Sequence, residues 1–318
     1  MKRYDLFGIG TPVIDYLARV DDDLIKREGF VKEATNYVSR ERLDALKEQL
    51  SSSILRAWPG DNARNVCEGV SFMGGRTAYA GRIGKDPSGK MFDEVLRRLG
   101  IESFLEVGHG RTGEILTLIT PDLRRTFVAD LGNGEEYGSV PEDGIGRSRF
   151  LFLTSITLLK GKIADAALKA VSFAADSGVS ISISLESAPM IAENRTRLLP
   201  VVLRSALLFG NEEEISALTG ESPRRGAEML ARGGPTVCVK LGERGSVIVT
   251  KDRSIEVRSF PARVMDPTGA GDFYAAGFIS GITRGKDLEE CGEMGSRLAS
   301  MVIENLGATL TDTGESNI

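Results

Sequence analysis

Asp266-Pro267-Thr268-Gly269-Ala270-Gly271-Asp272 places three small residues directly before an acid, and a largely apolar run, Phe273 to Ile282, follows at once. Without bulky side chains, Gly269, Ala270 and Gly271 let successive backbone N–H groups converge on an anion, and the positive end of the helix predicted to begin there reinforces them. That arrangement suits a phosphate. Asp272, at the helix start, stands where a carboxylate accepts a proton from a hydroxyl attacking the cradled phosphoryl group. The run after it carries small residues at helical spacing, so its backbone can approach a neighbouring element closely and hold the base rigidly. A plainer reading stands beside this one: Gly-Ala-Gly-Asp as a tight turn whose Asp caps a helix.

A chain of 318 residues can bury a large core, and one α/β domain with a small appendage suits this length better than two full domains. Hydrophobic content of 41% and charged content of 27% are those of an ordinary soluble protein. The net charge is -5 and the basic residues are scattered, which disfavours nucleic acid and anionic membrane surfaces as partners. No apolar run approaches the roughly 18 residues of a membrane-spanning helix, and the N-terminus has no signal-peptide architecture, so a cytoplasmic location is expected. Cys67, Cys238 and Cys291 lie far apart without metal-ligand spacing and read as reduced thiols. His109 is the single histidine, so a Ser-His-Asp triad or a histidine-rich metal site is hard to build.

Along the chain, Tyr4 to Ile9 reads as a buried strand ending in Gly8-Ile9-Gly10. A dinucleotide-binding reading of that turn is rejected, because Val13 replaces the third glycine of G-x-G-x-x-G and Pro12-Val13-Ile14 argues against a helix there. Asp21 to Leu55 is charged and partly helical, with Leu43, Leu46 and Leu50 at helical spacing, and reads as peripheral. Trp58 to Asn65 reads as a turn feeding a helix that carries Val66, Val70 and Met73 on one face. Gly75 to Gly84 and Ser88 to Leu99 give a strand and a helix. Thr112 to Thr120 and Thr126 to Asp130 are β-rich runs joined by the turn Pro121-Asp122-Leu123-Arg124. Phe150 to Thr154, Val179 to Leu185, Ala206 to Phe209 and Thr236 to Leu241 alternate with helical stretches and imply parallel strands, whose carboxyl ends carry Asn211, Gly242 and Gly269.

The longer pattern D-x-T-G-A-G-D-x-[FY]-x-A-G-[FL], beginning at Asp266, closely resembles the C-terminal signature of the ribokinase/PfkB family of carbohydrate and nucleoside kinases. Gly60 and Asn65 match that family's G-G-x-x-x-N-x-A signature, which contacts the sugar, while Asp61 stands in place of its second glycine. Asp61 is either a helix cap or a ligand contact, and Arg64 either neutralises it or binds an anion itself. Asp15 resembles the family's early sugar-binding aspartate, with a solvated strand acid as the alternative. The resemblance further implies a β-sheet lid, from segments of about 12–40 and 111–135, with Arg125 meeting the transferred phosphate and Arg124 close behind it. Asn211 and Glu214 fit the N-x-x-E motif at the nucleotide phosphates, although first-turn acids on a helix dipole give the same residues. Lys240, Gly242 and Gly245 resemble the G-x-x-G turn beside the nucleotide, a hairpin turn being the alternative. By the same resemblance Thr268 belongs at the nucleotide, Glu214 and Asp266 at metal ions, with Mg2+ bridging the nucleotide and K+ near Asp266 and Thr268.

These features together imply a single α/β domain, 1–318: a ribokinase-like, doubly wound, mainly parallel sheet flanked by helices, with the small lid. The expected reaction is transfer of the γ-phosphoryl of ATP to a primary hydroxyl of a nucleoside or neutral sugar, in the manner of the adenosine-kinase-like branch. Asp272 acts as base, and Gly269, Ala270, Gly271 and Arg125 stabilise the moving charge. Fructose, ribose, a sugar phosphate or a sugar acid are alternative acceptors. A non-catalytic nucleotide-binding regulator is the reading from a different class, and an NAD-linked oxidoreductase rests only on Gly8-Ile9-Gly10. The expected partner is a small molecule, with no nucleic acid and no membrane, for a monomer or homodimer.

Overall fold

The structure, a computed structural model, describes residues 2–122 and 124–310; Leu123, in the predicted hairpin turn, lies outside the described residues. Apolar runs with no polar face, such as Leu6-Phe7 and Phe150 to Leu153, have both sides to cover, and they lie mid-sheet between two layers of helices. In chain order the strands are β1 (Tyr4–Ile9), β2 (Val13–Arg19), β3 (Thr35–Tyr37), β4 (Ile54–Gly60), β5 (Thr77–Gly84), β6 (Ile101–Gly108) and β7 (Thr112–Ile119). They continue as β8 (Arg125–Gly132), β9 (Ser148–Thr154), β10 (Ser180–Ser184), β11 (Leu207–Asn211), β12 (Thr236–Lys240), β13 (Ser246–Val249) and β14 (Ser254–Val257). A nine-stranded sheet has the order β14-β13-β12-β11-β10-β9-β1-β5-β6. Its strands from β6 to β12 run parallel, and only the β13 and β14 extension is antiparallel.

One face of this sheet is covered by the helix Gly161–Asp176, whose Ile163, Ala166, Ala167, Ala170, Val171 and Ala174 are buried at the spacing read from the sequence. The opposite face carries the helices Asn62–Phe72, Ala270–Thr283 and Leu288–Val302. The last two pack backbone to backbone: a Cβ on Gly277 would lie 2.5 Å from the Met294 carbonyl oxygen. The small residues after Asp272 have the packing role their spacing implies.

A second, five-stranded sheet has the order β3-β8-β7-β2-β4. Two features of it correct the sequence reading. Trp58-Pro59-Gly60 is not a turn but the end of β4, which pairs antiparallel with β2 through Val13↔Gly60 and Asp15↔Trp58. Pro59 is tolerated because β4 lies at the sheet edge, where no outer neighbour needs its missing N–H. The segment Asp21 to Leu55 is not peripheral either. Leu24, Ile25, Phe30, Leu43, Leu46 and Leu50 pack against Ala18, Leu116, Leu118 and Val128, giving the second sheet its own hydrophobic core. The chain passes from one sheet to the other through Gly10, Thr11 and Pro12, so the cleft between the sheets opens at the carboxyl end of β1.

Candidate active site

Gly269 caps the helix Ala270–Thr283 at φ 81°, in the left-handed region where a side chain is strained, and a Cβ there would meet Ala308 Cβ at 2.6 Å. Ala270 N–H bonds the Pro267 carbonyl at 3.3 Å, so this amide, expected at the anion, is engaged within the turn. The amides of Gly271 and Asp272 belong to the first helical turn, where no intrahelical acceptor exists. Lys240, at the end of β12, faces them: a Cβ on Gly271 would lie 2.7 Å from Lys240 Nζ. The loop thus combines free amides, a helix N-terminus and an ammonium.

Asp272 is buried in that first turn, where its Oδ2 accepts a hydrogen bond from Asn65 Nδ2 at 2.9 Å. Burial pushes its carboxyl up to about 7, while the Asn65 bond and Lys240 oppose the rise and Asp61 and Glu214 add to it. A carboxylate poised near neutrality is suited to taking a proton. It faces a cavity of about 300 Å³ lined also by Asp15, Gly60, Asp61, Asn65, Thr268 and Gly269, which the sequence places at the same site. The far wall of this cavity comes from the second sheet, through Thr35, Tyr37, Ile115, Phe127, Ala129 and Leu131. Asp15 accepts from Thr117 Oγ1 at 3.2 Å, and burial raises its carboxyl to about 6.

On the other side of the loop, Lys240, Gly242, Gly245, Ala270 and Gly271 line a cavity of about 480 Å³, closed by Phe260, Pro261, Val264 and Tyr274. Its mostly apolar walls suit a flat heterocycle, and its inner end opens on the anion loop. Gly242 and Gly245 also form the β12–β13 hairpin turn, the alternative reading of that stretch. Asn211 and Glu214 line neither cavity. They form a capping box at the helix Glu212–Thr219, with Glu214 N–H bonding Asn211 Oδ1 and Asn211 N–H bonding Glu214 Oε2, both at 2.8 Å.

Two cavities meet at one small-residue loop, with the buried Asp272 carboxylate on the smaller and Gly271 on the larger. Residues 54–313 match the family model described as pfkB family carbohydrate kinase. The chain belongs to the PfkB family. Enzymes of this family are phosphotransferases that use an alcohol group as acceptor. An adenosine kinase structure from Sinorhizobium meliloti is 31% identical, with a TM-score of 0.87 and coverage of 96% of both chains. A nucleoside kinase from Methanothermobacter thermautotrophicus is 29% identical over 98% of this chain and 94% of its own length. A protein of Archaeoglobus fulgidus, named an uncharacterized sugar kinase, is 31% identical over 76% of this chain and 96% of its own. The expected ribokinase-like architecture and adenosine-kinase-like neighbourhood are both found.

Asp61, the departure from the PfkB glycine pair, sits at φ 116° and ψ 130°, a conformation that favours glycine. Three donors hold it there: Thr11 N–H at 3.1 Å, Arg64 N–H at 3.0 Å and the Tyr79 hydroxyl at 2.8 Å. It is a helix cap that also lines the cavity, and burial raises its carboxyl to about 6. Gly10 is required beside it, since a Cβ there would lie 2.0 Å from Asp61 Oδ2. That contact accounts for the glycine once open to a dinucleotide-binding reading. The Arg64 side chain does not line the cavity and pairs with Glu68 at 2.6 Å, while its charge still favours the ionised form of Asp61.

Asp266 is buried and differs from the expectation of a metal ligand. Its Oδ2 pairs with Arg125 Nη2 at 2.5 Å and accepts Gly307 N–H at 2.7 Å, and its Oδ1 accepts Thr268 N–H at 2.8 Å. Arg125 also donates to the Thr268 hydroxyl, and Thr268 lines the smaller cavity and not the larger. With a guanidinium on both side chains, Asp266 and Thr268 do not fit a potassium ion. Arg124, the nearby alternative, pairs instead with Glu33 at 2.5 Å on the exterior. The sequence reading missed Glu186, just past β10. It lines the smaller cavity, its Oε1 has no hydrogen-bond partner among the described residues, and burial holds its carboxyl well above the ordinary range. A lone acid after an apolar strand, at a carboxyl end, was the available signal. Magnesium keeps several waters and asks for one or two carboxylates beside substrate phosphates, and Glu186 and Glu214 near Lys240 fit that demand.

Proposed function

We propose that this PfkB-family kinase transfers the γ-phosphoryl group of ATP to a primary hydroxyl of a nucleoside or neutral sugar. The observation that carries this reading is Asp272, buried at the smaller cavity, held by Asn65 and next in the chain to Gly271, which lines the larger. ATP occupies the larger cavity with its phosphates at Gly271, Asp272 N–H and Lys240. Glu186 and Glu214 would hold a magnesium ion, which would supply positive charge beside the phosphates. Asp272 takes the proton from the acceptor hydroxyl as it attacks. The amides and Arg125, which keeps its Asp266 pair, stabilise charge on the transferring group.

The acceptor class follows from charge. Asp15, Asp61 and Glu186 line the smaller cavity, Arg64 does not, and Lys160, the cation that does, lies over the Tyr37 ring, so an anionic acceptor meets mostly carboxylates. Ile115, Phe127, Ala129 and Leu131 offer an apolar face for a base, which favours a nucleoside. We read the second sheet as the lid that excludes water from this end. The acceptor is a small molecule, not a nucleic acid or a membrane, and the chain acts as a monomer or homodimer. Free, buried Cys67, Cys238 and Cys291 support a cytoplasmic location.

The test is ADP release from Mg-ATP against nucleosides, neutral sugars, sugar phosphates and sugar acids. Turnover with a nucleoside or neutral sugar is expected, with an acid limb near pH 7. Asp272→Ala should lower turnover by about 10²–10⁴-fold while sparing ATP binding. Near-normal turnover in that variant would falsify the mechanism, turnover only with anionic sugars would overturn the acceptor class, and silence across the panel would favour a regulator.

A further inference from the structure

Arg64 and Glu68 lie one turn apart on the helix Asn62–Phe72, at 1% and 0% exposure, with Arg64 Nη2 2.6 Å from Glu68 Oε2. A buried ion pair adds little over apolar residues of similar volume, because both charges have been taken from water. Its presence here calls for another account. The second arm of the guanidinium supplies it: Arg64 Nη1 donates to Asn65 Oδ1 at 2.9 Å, and Asn65 Nδ2 donates to Asp272 Oδ2 at 2.9 Å. A guanidinium has donors and no acceptor, so it meets the amide only at its oxygen and turns the amide's own donors toward Asp272. Reversing the amide would set donor against donor and oxygen against carboxylate.

We propose that Arg64 is a positioning residue for phosphoryl transfer, locking the Asn65 amide so that it always donates to the Asp272 carboxylate. The proposal rests on reading Asp272 as the base. Around that carboxylate stand Asp61 at the start of the Arg64 helix, Glu186 after β10, Glu214 on the helix Glu212–Thr219 and Lys240 at the end of β12. Of these only Lys240 favours the ionised form, so the amide donor is a large share of what keeps the base charged. Glu68 has a separate structural duty, accepting from Thr309 Oγ1 at 2.6 Å and Leu310 N–H at 2.9 Å. The test must therefore separate positioning from folding.

In the double variant Arg64→Met, Glu68→Met both charges leave together, so neither remains unpaired. Turnover is followed against pH with saturating Mg-ATP and whichever of adenosine, ribose and fructose turns over fastest. Loss of the fixed donor should move the acid limb to higher pH by about one unit, with the KM for ATP changed less than about twofold. A folded double variant whose acid limb coincides with the wild type, even with a lowered Tm, overturns the proposal. If the double variant does not fold, Arg64→Lys keeps a charge against Glu68 but lacks the planar fork that reaches Asn65 as well. It should shift the limb in the same direction, and an unmoved limb there overturns the proposal equally. Asp272→Asn distinguishes the two levels: retained turnover removes the base, whereas loss of turnover beside an unmoved limb removes only the role of Arg64.

Discussion

Asp61 occupies backbone geometry that a glycine adopts freely, and its side chain repays the strain by accepting from Thr11, Arg64 and Tyr79. Left-handed strain at a non-glycine residue costs about 1–3 kcal/mol, and an N-cap of this type contributes about 1 kcal/mol. Asp61→Gly and Asp61→Ala both discard the bonds and leave the Tyr79 hydroxyl unpaired in the core, but only alanine keeps the strain. The alanine variant should therefore be less stable than the glycine one by about 1–3 kcal/mol. Denaturant unfolding of both variants checks the ordering, and an alanine variant as stable as the glycine one would show that the backbone at this position carries no strain. The same residue shows how a substitution at a glycine position is accommodated. Gly10 gives up its side-chain volume to the Asp61 carboxylate.

At the scale of elements, Arg125 is the first residue of β8 and reaches from the second sheet to Asp266 and Thr268 beside the anion loop. One guanidinium thus ties the second sheet to the loop proposed to hold phosphate. Arg125→Met should lower turnover by about 10²-fold or more, the usual loss for one donor at a developing oxyanion. The same ion pair supplies the positive charge that a potassium ion would bring to Asp266. Replacing KCl with tetramethylammonium chloride at equal ionic strength should leave turnover within about twofold, since salt then acts only by screening. A steep dependence on potassium would mean that Arg125 leaves Asp266 during turnover. The helix Ala270–Thr283 complements this picture from below. Its glycines seat it against Leu288–Val302 so closely that the first turn, and Asp272 with it, has little freedom to drift.

For the whole molecule, the concentration of carboxylates in one cleft has a consequence for stability. Burial raises Asp15 and Asp61 to about 6 and Asp272 to about 7. Between the ordinary carboxylate range and those values the folded chain binds more protons than the unfolded chain, so these groups make unfolding easier as pH rises. The ligand-free protein should accordingly show a higher Tm at about pH 5.5 than at about pH 7.5, a gain that levels off once the unfolded carboxylates also protonate. Asp86, held below the ordinary range by Thr112 and the Gly89 amide, loses its contribution only at lower pH. A Tm that rises from the lower to the higher pH would contradict the burial of this cleft. Much of this molecule is legible in the chain because its signals are local. The Asp266 to Asp272 loop, the apolar strands of the parallel sheet and the stripe of the helix Gly161–Asp176 each carry their cause within a few residues. Strand β4 was obscured because Pro59 and Gly60 signal a turn unless an edge position excuses them. Other facts have no local cause: Asn65 meets Asp272 across 207 residues, Arg125 meets Thr268 across 143, and Glu186 is charged with its work only by the cleft around it. Residue type and period determine which face of an element turns inward; which distant side chain waits there, and whether water reaches it, is decided only when the segments pack.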